Sequence, residues 1–156
     1  MLYAVSPYCA AAILRYEARN AIAYRFDKSG QIKGGAMPGF LTTHVLDTAG
    51  GQPAAGMRIT LWALEGADGA DRRKLAEAVT NADGRTDAPI LAQGDFRPGR
   101  YELVFHVGAW LDAQGHEAAQ PRFLDEVPIR FGMAEDSHYH VPLLVSPYGF
   151  STYRGS

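Results

Sequence analysis

The chain has 156 residues, of which 47% are hydrophobic and 21% charged, so it is long enough for one domain with a substantial core. Its net charge of −2 gives no basic surface for nucleic acid, and no apolar run is long enough to cross a bilayer. A single cysteine, Cys9, excludes an internal disulfide, so a cytoplasmic protein is the default expectation.

Residues 1–36 differ in composition from the rest of the chain. They mix charged and apolar residues without a clear helical periodicity, and the segment 29–35 at their end contains several glycines, as linkers do. Met37 could be an alternative start, so these residues are either an accessory tail or not part of the natural product. We predict a flexible N-terminal extension over 1–38 and a folded domain over 39–156.

Beyond the extension, short apolar runs alternate with turn signals, which favours an all-β domain. The clearest strand is the segment 101–107, where apolar residues at every second position share one face. Alternation also marks the segments 57–64 and 129–133. One short helix is predicted over 109–114, with Gly115 as its C-terminal cap. Strands at this spacing, with one apolar face each, predict a sandwich of two sheets.

Two polar residues in the first half of the domain are candidate site residues. His44 lies in the segment 41–47 and faces away from the core if Val45 faces it, although a surface imidazole would give the same pattern. Arg85 follows directly after a tight Asn-Ala-Asp-Gly turn at 81–84. It is either a solvated charge or, if it points at the histidines, a group that could hold a carbonyl oxygen or a planar urea-like group.

The segment 137–145 carries two further histidines. Its apolar residues at every second position form one continuous face, which puts His138 and His140 on the opposite side. Histidines at this spacing on a strand are able to ligate zinc. No cysteine lies nearby and no acidic residue joins them at zinc-like spacing, so the sequence does not favour a metal site.

The end of the chain carries a phenol, a guanidinium, a hydroxyl and the terminal carboxylate together. Residues 143–152 favour a strand, a turn and a second strand, and the tetrapeptide Tyr-Arg-Gly-Ser at 153–156 follows them. If Phe150 packs inward, Tyr153 faces out of the core on the same side as the candidate histidines. A polar tail that keeps the last strand soluble is the alternative interpretation.

Four ordered segments together resemble the 5-hydroxyisourate hydrolases, the transthyretin-like enzymes of urate (purine) degradation. These segments are 41–47, 80–85, 138–144 and 153–156, and the resemblance covers residues 39–156. It implies an all-β, transthyretin-like sandwich of two four-stranded sheets with one short helix. It also implies a homotetramer, in which sheets from opposing dimers enclose a channel lined by the outward-facing polar groups.

The resemblance implies catalytic roles for His44, Arg85, His140 and Ser156, and substrate-binding roles for His44, Arg85 and Tyr153. The implied reaction is hydrolytic opening of 5-hydroxyisourate at an N–C(=O) bond, which gives 2-oxo-4-hydroxy-4-carboxy-5-ureidoimidazoline without a metal or an organic cofactor. A neutral imidazole suits the base, so either His140 or His44 could act, and Arg85 suits the oxyanion or a ring carbonyl. Ser156 either positions the water or is a nucleophile.

A non-catalytic carrier of small hydrophobic ligands, like transthyretin itself, is the competing interpretation, because one fold can bind or hydrolyse. A carrier channel does not need two histidines, an arginine and the terminal tetrapeptide at the same time. The sequence therefore favours the enzyme.

Overall fold

The structure is a computed structural model that describes residues 39–66 and 68–155. The predicted N-terminal extension and Ser156 lie outside the described residues. In chain order, the described elements are β1 (Phe40–Thr42), β2 (Val45–Asp47), β3 (Gln52–Pro53), β4 (Arg58–Glu65), β5 (Asp71–Val79), β6 (Gly99–His106), α1 (Val107–Ala113), β7 (Glu126–Met133), β8 (His138–His140), β9 (Leu143–Ser146) and β10 (Gly149–Thr152).

Most of the described strands belong to two four-stranded sheets. One sheet has the order β10–β9–β2–β3, and the other has the order β5–β4–β6–β7. The short strands β1 and β8 form a separate parallel pair, in which Thr42 lies beside His140. The expected sandwich of two four-stranded sheets with one short helix is therefore confirmed.

The core lies between the sheets because each sheet contributes an apolar face. From one sheet, Leu61, Leu103 and Phe105 are fully buried, and from the other, Val45 and Leu143 are fully buried. Burying a side chain of this size stabilises a fold by about 1.5–3 kcal/mol relative to leaving it exposed. The period-two alternation of the sequence thus defines which residues fill the core.

The helix α1 begins directly after β6, two residues earlier than the sequence predicts. Val107 was expected to end the strand, but it opens the helix and is still buried. The helix ends at Ala113, one residue before the predicted end, and Gly115 closes it as expected. The N–H of Gly115 donates to the Asp112 carbonyl while the next N–H donates to the Leu111 carbonyl, both at 3.0 Å. In the part of the chain that the structure describes, no helix has the length and apolar character needed to span a membrane.

The predicted strand–turn–strand near the chain end is present as β9 and β10. Phe150 lies opposite Val145 in the register, so both side chains are on the core-facing side of the sheet. Val145 is buried, but Phe150 stays 48% exposed, because β10 is an edge strand with fewer covering neighbours. Phe150 therefore points inward, as the condition placed on Tyr153 requires, but it is only partly buried.

Candidate active site

Two histidines lie on the side of β8 that faces away from the core. Tyr139, between them, is 4% exposed, so the alternation of the strand turns His138 and His140 to the other side, where both are half-buried. The parallel pairing with β1 places Phe40 beside His138 and Thr42 beside His140. The ring of Phe40 stacks on that of His138, with centroids 4.2 Å apart and planes 10° apart.

The backbone brings His44 next to Arg85 although they are far apart in sequence. The N–H of Val45 donates to the Gly84 carbonyl at 2.8 Å, and His44 and Arg85 form an antiparallel bridge. On its other side, the His44 carbonyl accepts the N–H of Leu143 at 2.8 Å. His44 is therefore fixed between the turn that carries Arg85 and the strand that follows His140.

The turn at 81–84 has the chemistry needed to present Arg85. The side-chain oxygen of Asn81 accepts the N–H groups of Asp83 at 3.0 Å and of Arg85 at 3.2 Å, which closes the turn. Gly84 has a φ of +70°, and a Cβ there would overlap the Val45 carbonyl oxygen, so only glycine allows this close approach. The Arg85 side chain leaves the turn exposed in the single chain.

The chain end packs against the ring of His140. The N–H of Gly155 donates to the His140 carbonyl at 2.8 Å. A Cβ on Gly155 would lie 2.7 Å from Cδ2 of His140, so glycine permits a contact that a larger residue would disturb. The hydroxyl of Thr152 donates to the Pro142 carbonyl at 2.7 Å and holds the preceding residues in place. Ser156, the next residue after Gly155, lies outside the described residues.

Tyr153 has a different location from the histidines. Its side chain is 59% exposed, and it lines a cavity of about 220 Å³ together with Tyr139, Val141 and Arg154. The guanidinium of Arg154 lies 4.5 Å from the centre of the Tyr139 ring. The structure thus brings His44, Arg85 and His140 together with Gly155, and it positions Tyr153 beside a cavity whose lining includes neither histidine.

Sequence reasoning missed one residue of this cluster, Thr42. Its hydroxyl oxygen lies 2.8 Å from Nε2 of His138 and 2.9 Å from Nδ1 of His140. The contacts join residues separated by 96 and 98 positions in the chain, through a parallel pairing that no local pattern announces. A lone threonine in a strand carries no signal that would have identified it.

The three histidines share an environment that disfavours their charged form. Burial first, and then Arg85 and the two neighbouring histidines, lowers the pKa of His140 from 6.5 to about 4. Burial and then Arg85 lower the pKa of His44, against an opposing effect of Asp83, and burial lowers the pKa of His138. All three rings are therefore neutral near neutral pH, which leaves imidazole nitrogens able to accept a proton.

One nitrogen of His44 is available for a ligand. The ring hydrogen-bonds the backbone of Asp83, but its buried Nε2 has no hydrogen-bond partner among the described residues. Buried polar atoms are normally satisfied, so an unpaired one in a polar cluster is expected to meet a bound molecule. Within 39–66 and 68–155, no group of three or more His, Cys, Asp or Glu side chains could hold a metal ion.

Removing the charge of Arg85 tests whether this residue lowers the pKa values of His140 and His44. Arg85→Gln removes a positive charge that lowers the pKa of both His140 and His44, so both values rise toward 6.5. NMR titration of the histidine rings measures the shift without any need for catalysis. Arg73→Gln is the matched control, because Arg73 pairs with Glu65 and has no part in lowering the pKa of His140. An unmoved His140 pKa in Arg85→Gln would contradict the assignment.

The lowered pKa of His140 in the folded chain makes the free energy of unfolding depend on pH. Below 6.5 the imidazole of the unfolded chain takes up a proton, whereas His140 in the folded chain resists protonation down to about 4. The unfolded state therefore binds more protons in this window, and the free energy of unfolding decreases as the pH falls through it. Arg85→Gln brings the folded and unfolded pKa values of His140 closer together, so the free energy of unfolding decreases less on acidification in this variant.

The fold and the site define a transthyretin-like β-sandwich with a polar cluster of neutral imidazoles and one arginine. The model of the HIUase/Transthyretin family matches residues 41–155. The chain belongs to this family.

Individual proteins support the same assignment. The 5-hydroxyisourate hydrolase of Mesorhizobium japonicum is 63% identical over 118 residues, which cover 76% of this chain and 93% of the relative. The structure of Klebsiella pneumoniae 5-hydroxyisourate hydrolase is 37% identical with a TM-score of 0.62, and the match covers 76% of this chain and 99% of that one. A crystal structure of (S)-allantoin synthase matches at 47% identity with a TM-score of 0.70 over 78% of this chain, which spans only 45% of the synthase chain.

Proposed function

We propose that this chain is a hydrolase that converts 5-hydroxyisourate to 2-oxo-4-hydroxy-4-carboxy-5-ureidoimidazoline in urate degradation. The observation that carries the proposal is the grouping of His44, Arg85 and His140 in a chain 63% identical to a 5-hydroxyisourate hydrolase. A neutral imidazole beside a permanent cation is suited to activating water and stabilising the negative charge that develops on a carbonyl oxygen.

In the proposed mechanism, His140 is the general base. It takes a proton from water as the water oxygen attacks the ring carbonyl carbon, and Arg85 stabilises the carbonyl oxygen as it becomes negative. The proton then passes from His140 to the ring nitrogen as the C–N bond breaks. The unpaired Nε2 of His44 orients the substrate ring through a hydrogen bond. Tyr153 and Ser156 are proposed to complete the substrate contacts.

The low pKa of His140 fits this role because the charges change during the reaction. With its pKa lowered to about 4, the His140 imidazole is a weak base, and part of that weakness comes from the charge of Arg85. When the substrate oxygen becomes negative beside Arg85, that charge is neutralised and the proton affinity of His140 rises. The base is therefore strongest in the transition state, which is where catalysis needs it.

A homotetramer is proposed as the functional assembly. Three aromatic residues at the chain end, Tyr148, Phe150 and Tyr153, are 74%, 48% and 59% exposed in the single chain, and Arg85 is exposed as well. Covering these groups with another copy would bury apolar area and exclude water from the site. Analytical ultracentrifugation tests the stoichiometry, and a monomer with full turnover would contradict the proposal.

The catalytic domain is proposed to be 39–156, in the cytoplasm. A protein that begins at Met37 is expected to fold and to turn over substrate at the rate of the full chain, because the family match starts at residue 41 and the site residues follow it. Initial rates and melting temperatures of the two proteins check this. A large loss of rate or stability in the shorter protein would give the first 36 residues a role in the domain.

The decisive experiment is ultraviolet absorbance of freshly generated 5-hydroxyisourate with and without the protein. The enzyme accelerates the loss of the substrate signal above the spontaneous rate. A protein that binds the compound and leaves its decay unchanged would instead be a carrier.

A further inference from the structure

The hydroxyl of Thr42 lies between two imidazoles, at 2.8 Å from Nε2 of His138 and 2.9 Å from Nδ1 of His140. Neighbouring groups hold Thr42, His138 and His140 in place. The backbone carbonyl of Thr42 accepts the N–H of Val141 at 3.0 Å, and the stacked ring of Phe40 fixes the plane of His138. Gly155 packs against Cδ2 of His140, on the side of the ring that carries Nε2.

A hydroxyl has one proton, so this bridge couples the protonation of the two rings. If Thr42 donates to His138 Nε2, it accepts an N–H from His140 Nδ1, and His140 Nε2 then carries a lone pair. If Thr42 donates to His140 Nδ1 instead, His138 Nε2 carries the proton and so does His140 Nε2. Only the first arrangement leaves an unprotonated nitrogen on the edge of His140 that faces away from Thr42.

We propose that Thr42 and His138 are positioning residues that hold His140 in the tautomer with a proton on Nδ1 and a free lone pair on Nε2. This inference rests on the proposed hydrolysis, in which His140 is the base. His138 acts through Thr42, as the acceptor that directs the hydroxyl proton away from His140. Neither residue has to touch the substrate.

The reaction itself favours this arrangement. When His140 takes a proton on Nε2, its Nδ1–H still donates to Thr42, and the Thr42 proton still points at His138, so no hydroxyl has to turn. In the reverse arrangement the basic nitrogen would be Nδ1, which is already occupied by Thr42. Among the described residues, the charged and titratable groups that act on His140 are Arg85, His44 and His138, and none of these three is a carboxylate that could hold the ring in place of Thr42.

The test compares two substitutions at Thr42. Thr42→Val keeps the branched shape and removes the hydroxyl, and it is expected to lower kcat by about 10- to 100-fold with little change in KM, because the base loses its fixed orientation. Thr42→Ser keeps a hydroxyl and restores most of the rate. Thr48→Val is the control, since it removes a hydroxyl that bonds only the Val145 carbonyl. Wild-type kcat in Thr42→Val would overturn the proposal.

A second measurement does not depend on turnover or on the folding of a variant. Proton–nitrogen NMR spectra of the histidine rings in the unsubstituted protein report which nitrogen of His140 carries the proton. Protonated Nδ1 with unprotonated Nε2 supports the proposal, and a proton on Nε2 overturns it. A protein with the expected tautomer but no hydrolysis would leave the positioning intact and contradict the proposed function.

Discussion

Replacing His140 or Arg85 by alanine lowers the turnover of 5-hydroxyisourate by about 10²–10⁴-fold, the range typical of losing a general base or an oxyanion-stabilising group, while the chain remains folded. Both side chains lie off the apolar core: His140 is only half-buried and Arg85 is exposed. The core residues on either side of His140, Tyr139 and Val141, are untouched. The loss therefore falls on the chemical step, and initial rates measured beside thermal melts separate it from unfolding.

Two substitutions serve as matched controls for these variants. His116→Ala removes an exposed imidazole outside the cluster, and Arg73→Ala removes a surface guanidinium that pairs with Glu65. Both are expected to keep the rate of the unsubstituted protein, because exposed ion pairs and lone surface rings contribute little. A His140→Ala or Arg85→Ala protein that is as active as these controls would remove that residue from the proposed mechanism.

Deleting Gly155 and Ser156 costs far more activity than stability. The last paired strand ends at Thr152, and Gly155 contributes a backbone hydrogen bond to His140 that is worth about 0.5–1.5 kcal/mol. The same residue packs on the His140 ring, so its loss frees the proposed base to turn. We expect a clearly lower kcat at a nearly unchanged melting temperature.

Two outcomes would change this view of the chain end. Full activity after the deletion would mean that the last residues only keep the chain end soluble. A large decrease in the melting temperature would mean that they stabilise the fold. Ser156→Ala distinguishes the two parts of the segment, because it keeps the backbone and removes only the hydroxyl. A loss of rate in this variant assigns a role to the hydroxyl, whereas an unchanged rate assigns the effect of the deletion to the packing of Gly155 or to the terminal carboxylate, both of which the variant keeps.

Local patterns predicted much of this fold because local physics determines it. Alternation identified the buried face around Tyr139, the Asn-Ala-Asp-Gly sequence identified the turn before Arg85, and Gly115 marked the end of the helix. Boundaries were less certain: the helix starts at Val107 rather than at residue 109, since a buried apolar residue fits either a strand end or a first helical turn.

Contacts between distant segments could not be predicted in the same way. The parallel pairing that brings Thr42 to His140, and the hydrogen bond from Val45 to Gly84 that brings Arg85 to His44, depend on strand register. Register is decided by the whole sandwich and not by the residues of one strand. The family resemblance named His44, Arg85 and His140 together, but it gave no reason to include Thr42 in the cluster.

The backbone contact at Gly84 has a practical consequence for redesign. Because that residue lies against the Val45 carbonyl, it cannot be replaced by a bulkier residue without shifting the strand that follows His44. Attempts to accept a differently shaped ring are therefore best directed at side chains outside this turn, with Gly84 and the proposed catalytic residue Arg85 left as they are. Libraries that also vary Gly84 would place a Cβ against this carbonyl oxygen in every member that lacks glycine.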